Sequence, residues 1–162
     1  MTRRKRLPSP WVGLLLAALL LCPPPASPES RNPVQKLDLA RFKTMVDGEG
    51  RFLLVFMAAW CAPCVKELPD LTALYTRYRA GGLQIWGVSV DFDGPAAIQP
   101  IVDRQKVDFP VVWLGEEALN SYKISGIPLL IFIKNGAEVD RVVGLHSKAF
   151  LAEKIETFLA LP

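Results

Sequence analysis

The chain has 162 residues, 51% hydrophobic and 22% charged, which suits one globular domain with a normal core and excludes a disordered chain. Its formal net charge is +3, yet Arg3, Arg4, Lys5 and Arg6 stand together at the start, and beyond residue 26 only 15 basic residues face 16 acidic ones. That balance predicts no nucleic-acid partner for the folded domain.

The basic start runs into an apolar stretch, Trp11 to Leu21, followed by Cys22-Pro23-Pro24-Pro25-Ala26. This is the layout of a secretory signal peptide, with an apolar segment shorter than an ordinary membrane span. Residues 1–26 are therefore expected to be a cleaved signal, an uncleaved N-terminal membrane anchor, or a leader lipidated at Cys22. Pro24 is poorly suited to the third position before a cut after Ala26, and Leu21 is large for the position before a lipidated cysteine. All three outcomes export the domain, to the periplasm or the outer face of the cytoplasmic membrane, where disulfides persist. Residues 27–33 read as a linker and residues 34–162 as the domain.

Apolar residues at helical spacing predict a helix from Asp38 to Val46, with Asp38 as N-cap and Gly48 and Gly50 beyond its end. Residues 51–57 predict a buried strand, Ala62 to about Arg79 a helix ended by Gly81-Gly82, and Leu83 to Val90 a second strand. Pro95 to about Lys106 predicts a helix, followed by a break at Phe109-Pro110. A short helix is expected near Glu116 to Tyr122. Strands Leu129 to Lys134 and Glu138 to Val143 flank Asn135-Gly136, a strong hairpin signal. Lys148 to Leu159 closes the chain as a helix with one apolar face. The order β-α-β-α, then a β-hairpin and a C-terminal helix, predicts an α/β fold: a three-layer α/β/α sandwich around a mixed sheet.

The chemistry concentrates at Cys61-Ala62-Pro63-Cys64, where a buried strand gives way to a helix. Two cysteines at this spacing can close a small disulfide. A cysteine at a helix N-terminus has its thiolate favoured by the helix dipole and by unpaired backbone N–H groups. A bridge closing so small a loop contributes little stability, which argues against a mere staple. On a helical wheel Glu67 shares the arc of Cys61, Cys64, Val65, Leu68, Leu71 and Leu74, whereas Lys66, Asp70 and Arg77 lie opposite. A carboxyl on the core side should have a raised pKa and can exchange a proton with the Cys64 thiol; the alternative is a surface glutamate at the edge of the stripe. Pro63 in the first turn restricts the geometry between the cysteines, and Pro69 predicts a kink. Ile127-Pro128 lies at the entry to a strand; physics alone makes cis a minority form of such a bond. His146, the lone histidine, is expected as a loop or cap residue without a catalytic role. Asp91, Asp93 and Gly94 lack the further ligands a calcium loop requires.

Trp60-Cys61-Ala62-Pro63-Cys64, the strand before it, Gly126-Ile127-Pro128 before a strand, the Asn-Gly hairpin and the final helix together resemble the thioredoxin superfamily, over roughly residues 34–162. The leader, Lys66-Glu67-Leu68-Pro69 and the added stretch around Gly94 to Pro110 resemble the exported TlpA/ResA-like thiol–disulfide oxidoreductases more closely. Cytoplasmic thioredoxins usually carry an aspartate six positions before the first cysteine; here Val55 stands there and Glu67 appears instead. The resemblance implies that Cys61 is the exposed attacking thiol, Cys64 the buried resolving thiol, Glu67 the acid beside it, and Pro128 a cis-proline packed on the disulfide. Trp60, Pro63 and Ile127 support them. Leu129 and Leu130 depart from the Thr of many relatives and from the Glu of the cytochrome-maturation branch, which argues against a specialised role in cytochrome c assembly.

The expected function is an extracytoplasmic thiol:disulfide oxidoreductase that reduces partner disulfides through a redox-active Cys61–Cys64 pair. It needs no cofactor and no metal. Its expected partners are disulfide-bearing extracytoplasmic proteins and a membrane thiol donor for re-reduction, with a membrane tether through the N-terminal segment. Competing readings are a net oxidase or isomerase of the same fold, a cysteine-based metal-binding module, and a redox-inactive interaction domain.

Overall fold

The structure, a computed structural model, describes residues 30–162. The leader expected over 1–26, with Cys22, and the first part of the expected linker lie outside the described residues. From Ser30 onward the chain is fastened to the domain. The Asn32 side-chain amide donates to the carbonyls of Val107 (2.9 Å) and Phe109 (2.8 Å), and Val34 N–H donates to the Gln99 side chain at 2.7 Å.

The elements are β1 (Gln35–Lys36), α1 (Leu39–Val46), β2 (Arg51–Met57), α2 (Ala62–Tyr78), β3 (Leu83–Ser89), α3 (Pro95–Arg104), β4 (Val111–Trp113), α4 (Glu117–Ser121), β5 (Leu129–Lys134), β6 (Ala137–Val143) and α5 (Lys148–Ala160). They build one six-stranded mixed sheet in the order β1-β4-β3-β2-β5-β6. β2 runs parallel to β3 and antiparallel to β5. Flanked on both edges and covered on both faces, it is buried along nearly its whole length, which is why its sequence is a continuous apolar run rather than an alternating one. α2 and α5 cover one face, where Phe158 meets Phe132 and Tyr75 meets Phe109. α1 and the turn after α4 cover the other, where Phe42 meets Trp86 and Tyr122 meets Phe56.

The three-layer α/β/α architecture follows the sequence expectation, with two strands added. β1 and β4 are two and three residues long, too short to show any periodicity, and exist because β3 offers β4 an open parallel edge that β4 passes on to β1. The active-site helix α2 runs from Ala62 to Tyr78 as one helical span with Pro69 inside it. Among the described residues no helix is long and apolar enough to cross a membrane.

Candidate active site

The parallel strands β1, β4, β3 and β2 run the same way, so their C-terminal ends lie at one end of the sheet, the end from which α/β sheets present their sites. After Met57 the chain makes a short turn through Ala58, Ala59 and Trp60 before α2 begins. Asp91, just beyond β3 and buried, holds that turn: its carboxylate accepts the Ala59 N–H at 3.0 and 3.2 Å and the Ser89 hydroxyl at 2.8 Å. The Asp91 carbonyl in turn accepts the Trp113 indole N–H at 2.7 Å. Asp91→Ala strands the half-buried Ala59 N–H and the buried Ser89 hydroxyl and is expected to lower unfolding stability by about 3 kcal/mol, with Asp91→Asn losing less, as read by urea denaturation of the oxidised protein.

Cys61 is the N-cap of α2, and its Sγ accepts the Cys64 N–H at 3.2 Å. The two cysteines form a disulfide with a Cα–Cα distance of 5.3 Å. Pro63 occupies the first turn, where its missing N–H leaves no hydrogen bond unmade. The Cys64 N–H and the positive end of the helix dipole therefore meet at the Cys61 sulfur, the setting that favours a thiolate once the disulfide opens. Cys61 is 5% exposed and Cys64 2%, so the contrast between an open first thiol and a covered second is small here. The disulfide ties the Cys61 sulfur back to the buried Cys64.

Glu67 lies one turn beyond Cys64 on the same side of α2 and is 1% exposed. Its Oε1 accepts the backbone N–H of His146 at 3.0 Å, while the buried Oε2 has no hydrogen-bond partner. Burial pushes the Glu67 carboxyl above the ordinary carboxylate range. The His146 hydrogen bond and the nearby His146 ring pull it back, and Asp70 adds to the rise. Such an acid can take a proton from a neighbouring thiol and return it.

Ile127–Pro128 is a cis peptide bond. Leu129 pairs with Phe56, so Pro128, one residue earlier and buried, lies beside the end of β2 where the chain turns toward Cys61. Its carbonyl accepts the Gly144 N–H at 2.8 Å, which ties it to the loop carrying His146. Next to Cys61, Trp60 stacks on Phe92 with ring centroids 6.4 Å apart and an interplanar angle of 7°. The two rings are 61% and 60% exposed, an unusual outlay of apolar surface for residues with no covering element.

Cys61, Cys64, Glu67, Pro63, Trp60, Ile127 and Pro128 thus gather at one end of the sheet. Two participants were not singled out from sequence as parts of this site. Asp91 follows a strand at the site-bearing end of the sheet, and that position is the signal the sequence carries for it. His146 is 79 residues from Glu67, and no local pattern announces a contact made by its backbone.

The sequence model of the AhpC/TSA family matches residues 30–140. The thiol-disulfide oxidoreductase ResA of Bacillus anthracis is 30% identical over 127 residues, covering 77% of this chain and 68% of that protein. Among solved structures, the fold is similar to a thiol:disulfide interchange protein DsbE from Chlorobium tepidum, with TM-score 0.66, 23% identity, and 72% of this chain and 85% of that one covered. It is also similar to StoA from Bacillus subtilis, with TM-score 0.58, 23% identity, and coverage of 65% and 82%.

Proposed function

This chain belongs to the AhpC/TSA family and, within it, to the ResA-like thiol-disulfide oxidoreductases, and from that membership we propose that it reduces disulfides of extracytoplasmic partner proteins. The observation that carries this reading is the Cys61–Cys64 disulfide closed across the first turn of α2, with Cys61 as the helix cap. In the reduced protein the Cys61 thiolate attacks a partner disulfide and one partner sulfur leaves as thiolate, giving a mixed disulfide. Cys64 then gives its proton to the Glu67 carboxylate. The Cys64 thiolate attacks the Cys61 sulfur, the bond to the partner breaks, and the second partner sulfur leaves with the electron pair. The partner gains two electrons and the Cys61–Cys64 pair loses them.

Trp60 and Phe92 offer apolar surface to the segment around the partner's disulfide, and Pro128 lies beside the end of β2. Residues 1–26 deliver residues 34–162 to the periplasm or the outer face of the cytoplasmic membrane, through the linker 27–33, and a membrane thiol donor re-reduces the pair. The arrangement of the leader supports this placement.

The reduction potential of the Cys61–Cys64 couple tests the direction of electron flow. A value near about −270 mV, as for thioredoxin, fits a reductase; one near about −120 mV would make the protein an oxidant of its partners and overturn the reading.

A further inference from the structure

We propose that His146 is a positioning residue for the redox pair, its ring bracing the loop between β6 and α5 so that its backbone N–H holds Glu67 on the Cys64 side of α2. The inference rests on the reading of Glu67 as the acid–base partner of Cys64. Three contacts carry it. The His146 N–H donates to Glu67 Oε1 at 3.0 Å, and this is the one hydrogen bond made by a carboxyl that is 1% exposed. The His146 ring lies on Phe150 of α5, with centroids 4.3 Å apart and 19° between planes. Its Nε2 meets the Val143 carbonyl at 3.1 Å, a contact that requires the proton on Nε2 and closes the Val143–His146 turn on itself.

The turn is otherwise held by the Gly144 N–H, which donates to the Pro128 carbonyl at 2.8 Å. Gly144 is in the left-handed region at φ 91°, where glycine is at ease, and Leu145 is exposed. The ring, clamped between Phe150 and the Val143 carbonyl, fixes where the His146 N–H points. The charged or titratable groups acting on Glu67 among the described residues are His146 from the loop, Asp70 from its own helix and, with the disulfide open, Cys64.

Both His146 influences favour the carboxylate form of Glu67, so losing them leaves more of the carboxyl protonated at a given pH. In the resolving step the proton moves from Cys64 Sγ to Glu67, the Cys64–Cys61 bond forms and the Cys61–partner bond breaks. His146 exchanges no proton and no electrons in that step. It sets how much of Glu67 is available as the base.

The test uses the full chain and measures release of a model disulfide peptide from the Cys61 mixed disulfide as a function of pH. The Glu67 carboxyl is followed separately by infrared titration. His146→Ala is expected to move the acidic limb of the profile to higher pH and to slow release on that limb about tenfold, the effect of one hydrogen bond to a charged group at the modest end of its range. His146→Gln, whose amide can donate to the Val143 carbonyl, is expected to recover most of the rate. His146→Phe keeps the stack but lacks the donor and is expected to follow Ala, which covers the case of a poorly folding Ala variant. On a Glu67→Gln background the His146 changes are expected to have no further effect. The proposal fails if Glu67 titrates alike in the parent and in His146→Phe, or if the slowing persists on the Glu67→Gln background. A Glu67→Gln protein that releases peptide like the parent would instead remove the acid–base reading, while the infrared titration still decides whether His146 holds the carboxyl.

Discussion

Cys64→Ser is expected to abolish turnover and to leave the protein covalently joined to its partners. Cys61 caps α2 and receives the Cys64 N–H on its sulfur, a contact the backbone of a serine at position 64 still supplies, so the first attack survives. Resolution does not, because a serine hydroxyl does not replace a thiolate as the nucleophile toward a disulfide. Multiple-turnover reduction of a protein disulfide should fall on the order of a thousandfold or more, while mixed disulfides accumulate as bands that collapse on adding dithiothreitol. Mass spectrometry of those bands names the partners. Cys61→Ser should lose the same activity and capture nothing through this site. A Cys64→Ser protein that turns over like the parent would show that the two cysteines do not work in sequence.

The second large effect belongs to Glu67. Glu67→Gln keeps the shape and a hydrogen-bond acceptor for the His146 N–H but cannot take a proton from Cys64. Release of the partner is expected to slow about a hundredfold near neutral pH, the usual scale of a lost general base, and the pH-dependent limb that Glu67 gives the parent should vanish. The same substitution has a signature in stability. The native carboxyl titrates above its ordinary value of 4.5, so in the window above 4.5 the folded state holds a proton that the unfolded chain has released. The contribution of Glu67 is therefore fully present below 4.5 and is lost as pH rises through the raised native value. Urea unfolding of parent and Glu67→Gln at pH 4 and pH 8 should show the variant gaining on the parent at the higher pH. A stability difference that does not change with pH would mean that Glu67 ionises in the fold without penalty.

His146 shows how far local pattern reaches. A lone histidine after a glycine and before a helix reads as a loop residue, and it is one. The contact that matters is made by its backbone, across 79 residues, to a helix that turns toward it only because α2 and α5 share a face of the sheet. Asp91 teaches the converse. As one of two acids near a glycine it lacks the further ligands of a calcium loop and carries no role by pattern, whereas in the fold its carboxylate accepts the Ala59 N–H and the Ser89 hydroxyl. Ser89 is two residues away, but Ala59 arrives from the turn after β2 and leaves no trace in the spacing of neighbours.

What the sequence determined by itself is the local chemistry and the layering. The Cys-x-x-Cys pair sits where a continuous apolar run meets an amphipathic helix, and that helix carries Glu67 at the angle that turns it inward, since a period of about 3.6 residues fixes which positions share a face. The alternation of strands and helices, with Asn135-Gly136 between the last two strands, determined the three layers. The tertiary structure alone decided how strands too short to show a period join the sheet at its far edge and that Asp91 and His146 close on the site from separate elements, while the cis Ile127–Pro128 bond, which residue physics leaves a minority form, is the one the family resemblance implies. Periodicity is a property of contiguous residues. Edge pairing, the choice of peptide isomer and the partners of a buried carboxyl depend on which groups are brought together from far apart in the chain.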